Sequence, residues 1–398
     1  MYEKRYLDIR KFKLYPRNSD VKLINKEFKF YQRYFLALEK YVSSNIDGRK
    51  ITKKTIIDLC NEFSNKVKKL NFDYTKYFAN DHFLFAKENL LKKLLFRKKE
   101  NIKKYIPIKR TIKLSGYGCF IMNDYFYLKN VPKIKIRPKL EMYGDFTFIT
   151  ITKIHKDFFL TIVKSAKAID FPKTGVACGI DIGFKEYATI YDSNDDVTKI
   201  DFKNDKLDTL VSKANFYKKV LVNIENKNIN YKKSKNYIKI LSKLEKVYRK
   251  ISNIQANFYS RITNLIVKKY DLITIESINL ESLYKVRTSK INLQRRSFGK
   301  FFKVLEDKCK KYNKKLIKTD QLFMSSQICS SCGVVHHEMK DYTLRRFQCE
   351  CGYEADRDEN AAKNLMYYGI RFVRYKNVSL ENGENEGEMY ELQNKIKK

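Results

Sequence analysis

The residues from Gly175 to Phe202 read GVACGIDIGFKEYATIYDSNDDVTKIDF. An apolar run ends in Asp181 and a glycine turn, a second apolar run follows, and Ser193–Asp196 turns the chain into a third. Runs of this length rich in β-branched and aromatic residues, separated by Gly, Asn and Asp, predict three strands joined by tight turns.

Downstream the texture changes. A long helical stretch is expected up to Tyr270, with Leu241, Leu244, Tyr248, Ile251, Phe258, Ile262 and Leu265 on its apolar face and Lys and Arg crowding the other. YDLITIESINL (270–280) is a short apolar run of the kind that fills a buried parallel strand. A helix over about Phe298–Tyr312 and a strand at KKLIKTD (314–320) complete the pattern. Three hairpin-linked strands followed by alternating helix and strand is the order of an RNase H-like α/β sheet.

Upstream, AIDFPKTG (168–175) marks a boundary. DFTFITITKIHKDFFLTIVKS (145–165) reads as a hairpin turning at His155–Asp157, and YGCFIMNDYFYLK (117–129) as another. FKLYP (12–16) is a short strand closed by proline. Ile24, Phe28, Tyr31, Phe35, Leu38 and Val42 then trace one face of a helix, and Lys-rich helical sequence continues to about residue 104. A small β-barrel with a helical block inserted after its first strand fits this order.

Three acids fall where such a sheet would converge: Asp181 ending the first strand, Glu276 ending the parallel strand, and Asp358 at the start of a last helix. Singly, each has a local explanation: a turn residue, an edge charge, or a dipole-complementing acid beside an Asp356 N-cap with Glu359 completing a capping box. Together they are costly, since two carboxylates about 4 Å apart repel by roughly 4 kcal/mol at an effective dielectric near 20. Such a cluster shares a proton or holds a hard cation. Magnesium suits it, because it takes oxygen ligands and keeps positions for substrate phosphates. Paired ions can act on both oxygens of a phosphodiester displacement.

The cysteines point to a second site. Of eight, Cys60, Cys119, Cys178 and Cys309 are scattered. Cys329, Cys332, Cys349 and Cys351 form C-x2-C-G and C-x-C-G pairs, the signature of a zinc-binding pair of loops in a reducing compartment. The second pair is one residue tighter than usual. His336 and His337 lie between the pairs and could substitute for a cysteine or stand exposed.

Charge supplies the partner. The 398 residues carry 83 Lys+Arg against 45 Asp+Glu, a net +38, which predicts a polyanion such as nucleic acid. Arg345, Arg346 and Arg357 flank the acids and could meet phosphate or be solvated. Arg295 and Arg296 could touch a nucleic-acid backbone, and the face around Lys232–Lys250 could lie along one. No apolar leader and no membrane-length run is present, so the expectation is a cytoplasmic, nucleoid-associated protein without membrane contact.

GIDIGFKEYATI, LIVKKYDLITIESINLESL, FFKVLEDKCKKYNKKLIKTDQLFMSSQICSSCG and RRFQCECGYEADRDENAAKNL, in this order, closely resemble the TnpB proteins, transposon-encoded RNA-guided nucleases related to the miniature type V CRISPR effectors. The resemblance spans about Gly175 to Ile370 and is weaker before it. It implies a RuvC-type domain at 171–324 and 356–375, with Asp181, Glu276 and Asp358 holding two Mg²⁺. It implies a zinc ribbon at 325–355, with Zn²⁺ on the four cysteines. It further implies a wedge-like barrel at 1–16 and 105–170 with a helical recognition insert at 17–104; the remaining 376–398 are polar in composition and read as a mobile tail. The implied activity is RNA-guided DNA cleavage beside a short flanking motif, with guide RNA and target DNA as partners. The alternatives are an RNA-guided repressor or transposition regulator that does not cut, and a guide-free structure-selective nuclease.

Overall fold

The structure is a computed structural model. It describes residues 5–45, 52–69, 79–95, 109–116, 119–128, 131–137, 142, 146–154, 157–183, 186–227, 234–277, 296–341 and 343–382. The chain forms two compact units, Tyr6–Ala166 and Lys167–Lys398, the latter with the first five residues.

In the first unit, β1 (Arg5–Tyr15) is followed by α1 (Asn18–Asn45), α2 (Lys53–Lys69) and α3 (Ala79–Leu95). Six further strands follow: β2 (Lys109–Gly116), β3 (Phe120–Met122), β4 (Tyr125–Leu128), β5 (Val131–Arg137), β6 (Phe146–Ile154) and β7 (Asp157–Lys167). They make one sheet in the order β2-β6-β7-β1-β5-β4-β3, a half-barrel whose edges are β2 and β3. Both expected hairpins form: β6 pairs antiparallel with β7, and β3 with β4. The second turns at Asn123 and Asp124, both at positive φ, a conformation that short polar side chains tolerate and that matches strand twist. Residues 155–156 of the other turn lie outside the described residues.

Period-two alternation buries Phe158, Leu160 and Ile162 of β7 with Phe12, Leu14, Ile112, Ile134 and Ile149 in one core. The α1 stripe serves two cores. Ile24 and Phe28 join the sheet, while Leu38 and Val42 pack with Ile56, Leu59, Phe83 and Leu90 of α2 and α3.

The second unit contains β8 (Ala177–Asp181), β9 (Ala188–Asp192), β10 (Val197–Ile200), α4 (Asp205–Lys227), α5 (Lys235–Lys269), β11 (Leu272–Ile275), α6 (Phe298–Lys311) and β12 (Lys315–Lys318). A small hairpin of β13 (Arg346–Gln348) and β14 (Glu354–Asp356) leads directly into α7 (Arg357–Asn382). The sheet order is β10-β9-β8-β11-β12. The first three strands are antiparallel, and β8, β11 and β12 are parallel. On one face Cys178, Ile180, Ile273 and Ile275 pack against Tyr259, Ile266, Phe301 and Leu305 of α5 and α6. On the other, Ala177 and Leu272 pack against Ala362, Met366 and Ile370 of α7.

Two expectations change. On α5 the buried stripe runs Leu241, Leu244, Val247, Ile251, Gln255, Tyr259, Ile262 and Ile266. Leu265 is 69% exposed and Tyr248 37% exposed, because the stripe drifts around the helix as it lengthens. The last helix reaches Asn382, into the segment read as polar tail; residues 383–398 lie outside the described residues. Among the described residues no helix is long and apolar enough to cross a membrane.

Candidate active site

The parallel ladder pairs Ile180 with Ile275, so its next position sets Asp181 beside Glu276. Alternation turns both toward the face occupied by α7, the face of Ala177, Gly179, Leu272 and Thr274. The helix lies flush on these strands because two glycines let it. A Cβ on Gly179 would overlap the Ala362 carbonyl and the Met366 amide, and one on Gly369 would overlap the Thr274 hydroxyl. The helix runs antiparallel to β8 and β11, so its N-terminus overhangs their acidic ends. There Asp358 is 8% exposed, and its Oδ2 lies 3.7 Å from where a Gly183 Cβ would stand.

Asp181 feels the other two carboxylates. Burial, then the negative charges of Asp358 and Glu276, push the Asp181 carboxyl well above the usual carboxylate range, opposed by Arg357 and Arg345. Burial raises Glu276, again opposed by Arg357. Arg345 forms an ion pair with Asp358. The helix start is capped as expected, with Asp356 Oδ1 accepting from the Asp358 amide at 2.9 Å. Glu359 does not complete a capping box; it pairs with Lys199 of β10 at 2.7 Å.

The other basic residues separate by role. Arg357 donates to the carbonyls of Asp341 (2.7 Å) and Leu344 (3.4 Å), so its guanidinium braces the β13–β14 region. Arg346 is exposed and pairs with Glu354. Arg296 donates to the carbonyls of Gly183 (2.8 Å) and Glu186 (3.0 Å), clamping the turn that follows Asp181. Arg295 lies outside the described residues, as do Lys232 and Lys233. Lys235, Lys239, Lys243, Lys246 and Lys250 line an exposed face of α5.

The four cysteines converge, with all Sγ atoms within 4.8 Å of one another. Cys329 and Cys351 are 3.7 Å apart, and Cys332 and Cys349 3.5 Å. A tetrahedral ion with sulfur at about 2.3 Å needs S···S edges of about 3.8 Å, so four thiolates so spaced fit zinc. The tight second pair is accommodated by a shorter turn. In the first loop the Gly333 amide reaches back four residues to the Cys329 carbonyl, and in the second Gly352 reaches back three to Cys349. Both glycines are at positive φ, +83° and +84°, which a side chain would strain. Neither histidine joins the cluster. His336 bonds Glu338 at 2.9 Å and stands edge-on to Phe347.

Among the described residues these thiols are the group close enough to share one ion. The carboxylates are more widely set. Their donors are carboxylate oxygens, the hard ligand type that magnesium takes, with waters and phosphates completing its shell.

Sequence reading missed Asn360 and Asn364, buried on the helix that carries Asp358 and bonded to the first cysteine loop. Their signal was two asparagines four apart on an otherwise apolar helix face. It also missed Gly179 and Gly369, whose importance is a matter of packing.

Residues 162–287 match the family described as "Probable transposase", and residues 298–365 the family described as "Cas12f1-like, TNB domain". Three TnpB-like proteins of Acanthamoeba polyphaga mimivirus are 24–25% identical over 92% of this chain and 73–74% of their own lengths. A Streptomyces pristinaespiralis protein named "Putative RNA-guided DNA endonuclease" is 24% identical over 54% of this chain and 50% of its own. The solved chain of a "Cas12f1-sgRNA-target DNA complex" superposes with a TM-score of 0.53 at 16% identity, covering 92% of this chain and 99% of that one, a likeness of fold.

Proposed function

We propose, from its similarity to TnpB-like proteins, that the chain is a TnpB-type, RNA-guided, magnesium-dependent DNA endonuclease. The observation that carries the proposal is the meeting of Asp181, Glu276 and Asp358 at the ends of two parallel strands, beneath a helix start, in a chain of net charge +38. On this reading the five-stranded unit is a RuvC-type, RNase H-like domain and the cysteine loops are its inserted zinc ribbon. The half-barrel and its three helices are the wedge and recognition parts. Asp181 would serve both of two Mg²⁺ ions, with Glu276 and Asp358 holding one each. Bound magnesium supplies Lewis acidity that activates water and steadies the departing oxygen.

The chain's own residues prepare the site. Arg345 neutralises Asp358. Arg296 fixes the turn after Asp181, so that carboxylate is held rather than swinging. The helix start tolerates the added negative charge of Asp358. Basic surface gathers guide RNA and target DNA, and base pairing with the guide selects the sequence, as in other RNA-guided effectors. The protein would act in the cytoplasm on nucleoid DNA.

The test begins with sequencing the RNA that copurifies from the native locus. One dominant RNA with a constant structured part and a variable end is expected. Its variable end then defines a target for cleavage in Mg²⁺, with Asp181→Ala expected to abolish cutting and retain RNA. A smear of cellular RNA, or cutting by Asp181→Ala at the wild-type rate, refutes the reading. A single guide RNA with no cutting by the wild type would favour the non-cutting regulator.

A further inference from the structure

The cysteine loops and the helix bearing Asp358 are joined by buried polar contacts that zinc binding alone does not require. Asn360 has no exposure and Asn364 has 6%. Asn360 grips the backbone on both sides of Cys329: its Nδ2 donates to the Ile328 carbonyl at 2.8 Å, and its Oδ1 accepts from the Ser330 amide at 3.0 Å. One turn on, Asn364 Nδ2 donates to the carbonyls of Ile328 (2.6 Å) and Ser325 (2.9 Å). The second loop reaches the same helix along the chain. Cys351 leads into β14, and β14 runs directly into α7. The Arg357 amide donates to the Arg345 carbonyl at 2.8 Å, and Arg345 holds Asp358.

Both cysteine loops therefore end on the first two turns of α7, with Asp358 between their attachments. Buried amides are costly when their partners move away. The braces hold only while the loops keep their shape. The ribbon's own apolar core is small, Cys329, Met339 and Phe347 with Cys349 and Tyr353 partly buried, so that shape depends on the thiolates sharing an ion.

We propose that occupancy of the cysteine site sets the position of Asp358, so that the zinc and magnesium sites are thermodynamically coupled, with Asn360 and Asn364 as the positioning residues that couple them. This rests on the acid-centre reading above. Coupling is reciprocal, so a divalent ion at the acids must also tighten zinc retention by the same factor.

The experiment measures Mn²⁺ affinity by electron paramagnetic resonance on the full chain freed of RNA, with zinc content from elemental analysis. The samples are wild type, Asn364→Leu, Asn360→Leu, Asp181→Asn, and wild type stripped of zinc and desalted. Asn364→Leu and Asn360→Leu should keep zinc but bind Mn²⁺ about tenfold more weakly. Zinc-stripped wild type should show a similar loss, which tests the idea even where a variant fails to fold. Mn²⁺ should slow zinc transfer to a chelator in the wild type and not in Asn364→Leu. If Asp181→Asn weakens Mn²⁺ binding while zinc stripping and both asparagine variants leave it unchanged, the coupling is wrong and the acid centre stands. If Asp181→Asn also leaves it unchanged, the acid centre itself is wrong and the coupling falls with it.

Discussion

Asp181 is the acid whose removal should have opposite effects on stability and on activity. Its carboxyl is held well above the usual range by burial and by Asp358 and Glu276. At neutral pH in the absence of a cation, its charge therefore opposes folding. At the ~5 Å spacing of neighbouring strands, two carboxylates repel by about 3 kcal/mol at an effective dielectric of about 20. Arg345 and Arg357 offset part of this, leaving about 1–2 kcal/mol. Asp181→Asn should thus raise the thermal midpoint of magnesium-free protein by about 2–8 °C for a unit of this size. Buffers passed over chelating resin remove Mg²⁺ and leave zinc in place. Magnesium at about a hundred times its dissociation constant should stabilise wild type by about 2.7 kcal/mol and the variant far less, reversing their order. The pH dependence has a definite sign. A carboxyl raised in the folded state favours folding below the unfolded value and loses that contribution as pH rises through the folded value. Magnesium-free wild type should therefore gain stability on acidification from pH 7 towards the ordinary carboxylate range, and Asp181→Asn should gain less. Scanning calorimetry at several Mg²⁺ concentrations decides the matter. A variant less stable than wild type without magnesium, and equally responsive to it, would mean the carboxylates do not form a cation site.

Gly179→Ala should cost about 3 kcal/mol or more, because the new methyl meets backbone of α7 that cannot step aside; urea unfolding measures it, and a cost under about 1 kcal/mol would show that the helix stands off the sheet. Cys332→Ser should abolish tight zinc binding and open β13–β14 to hydrogen exchange, while β8 and β11 stay protected by their own core. Loss of protection in β8 as well would show that the ribbon supports the whole unit. Arg296→Ala removes two charge-assisted bonds to the turn after Asp181, so cleavage should slow at least tenfold with copurified RNA unchanged; unchanged cleavage would relieve Arg296 of any positioning role.

The sheet was legible because its strands are self-declaring. Val176–Ile180 and Leu272–Ile275 are apolar runs ended by acids, and Asn123–Asp124 is a turn dipeptide whose residues accept positive φ. The cysteine pairs were legible because two short loops, each with glycine at the turn, leave few other uses for four thiols. What escaped depends on distances that no local pattern encodes. Glycine at 179 and at 369 reads as a weak strand residue and a weak helix residue until α7 is laid across β8 and β11. The partners of Asn360 and Asn364 lie thirty or more residues upstream. Arg345 looked equally suited to phosphate or to water; its partner is an acid thirteen residues away, across a hairpin.

The acids crowded between Glu354 and Glu359 show why charge patterning alone could not single out the one that meets Asp181. Glu354 pairs with exposed Arg346 and bonds Gln348, Asp356 caps the helix, and Glu359 pairs with Lys199. Each of these satisfies local structure. Asp358 alone is both buried and set over Asp181. Its guanidinium partner comes from the segment the cysteine loops hold in place. On the proposed reading, a cation at Asp358 would therefore compete with Arg345 for Oδ2. On that reading, cation affinity at these acids would balance the repulsion around Asp181, which favours a cation, against the charge of Arg345, which opposes one, and the ribbon's hold on Asp358 would decide whether the carboxylates are presented together.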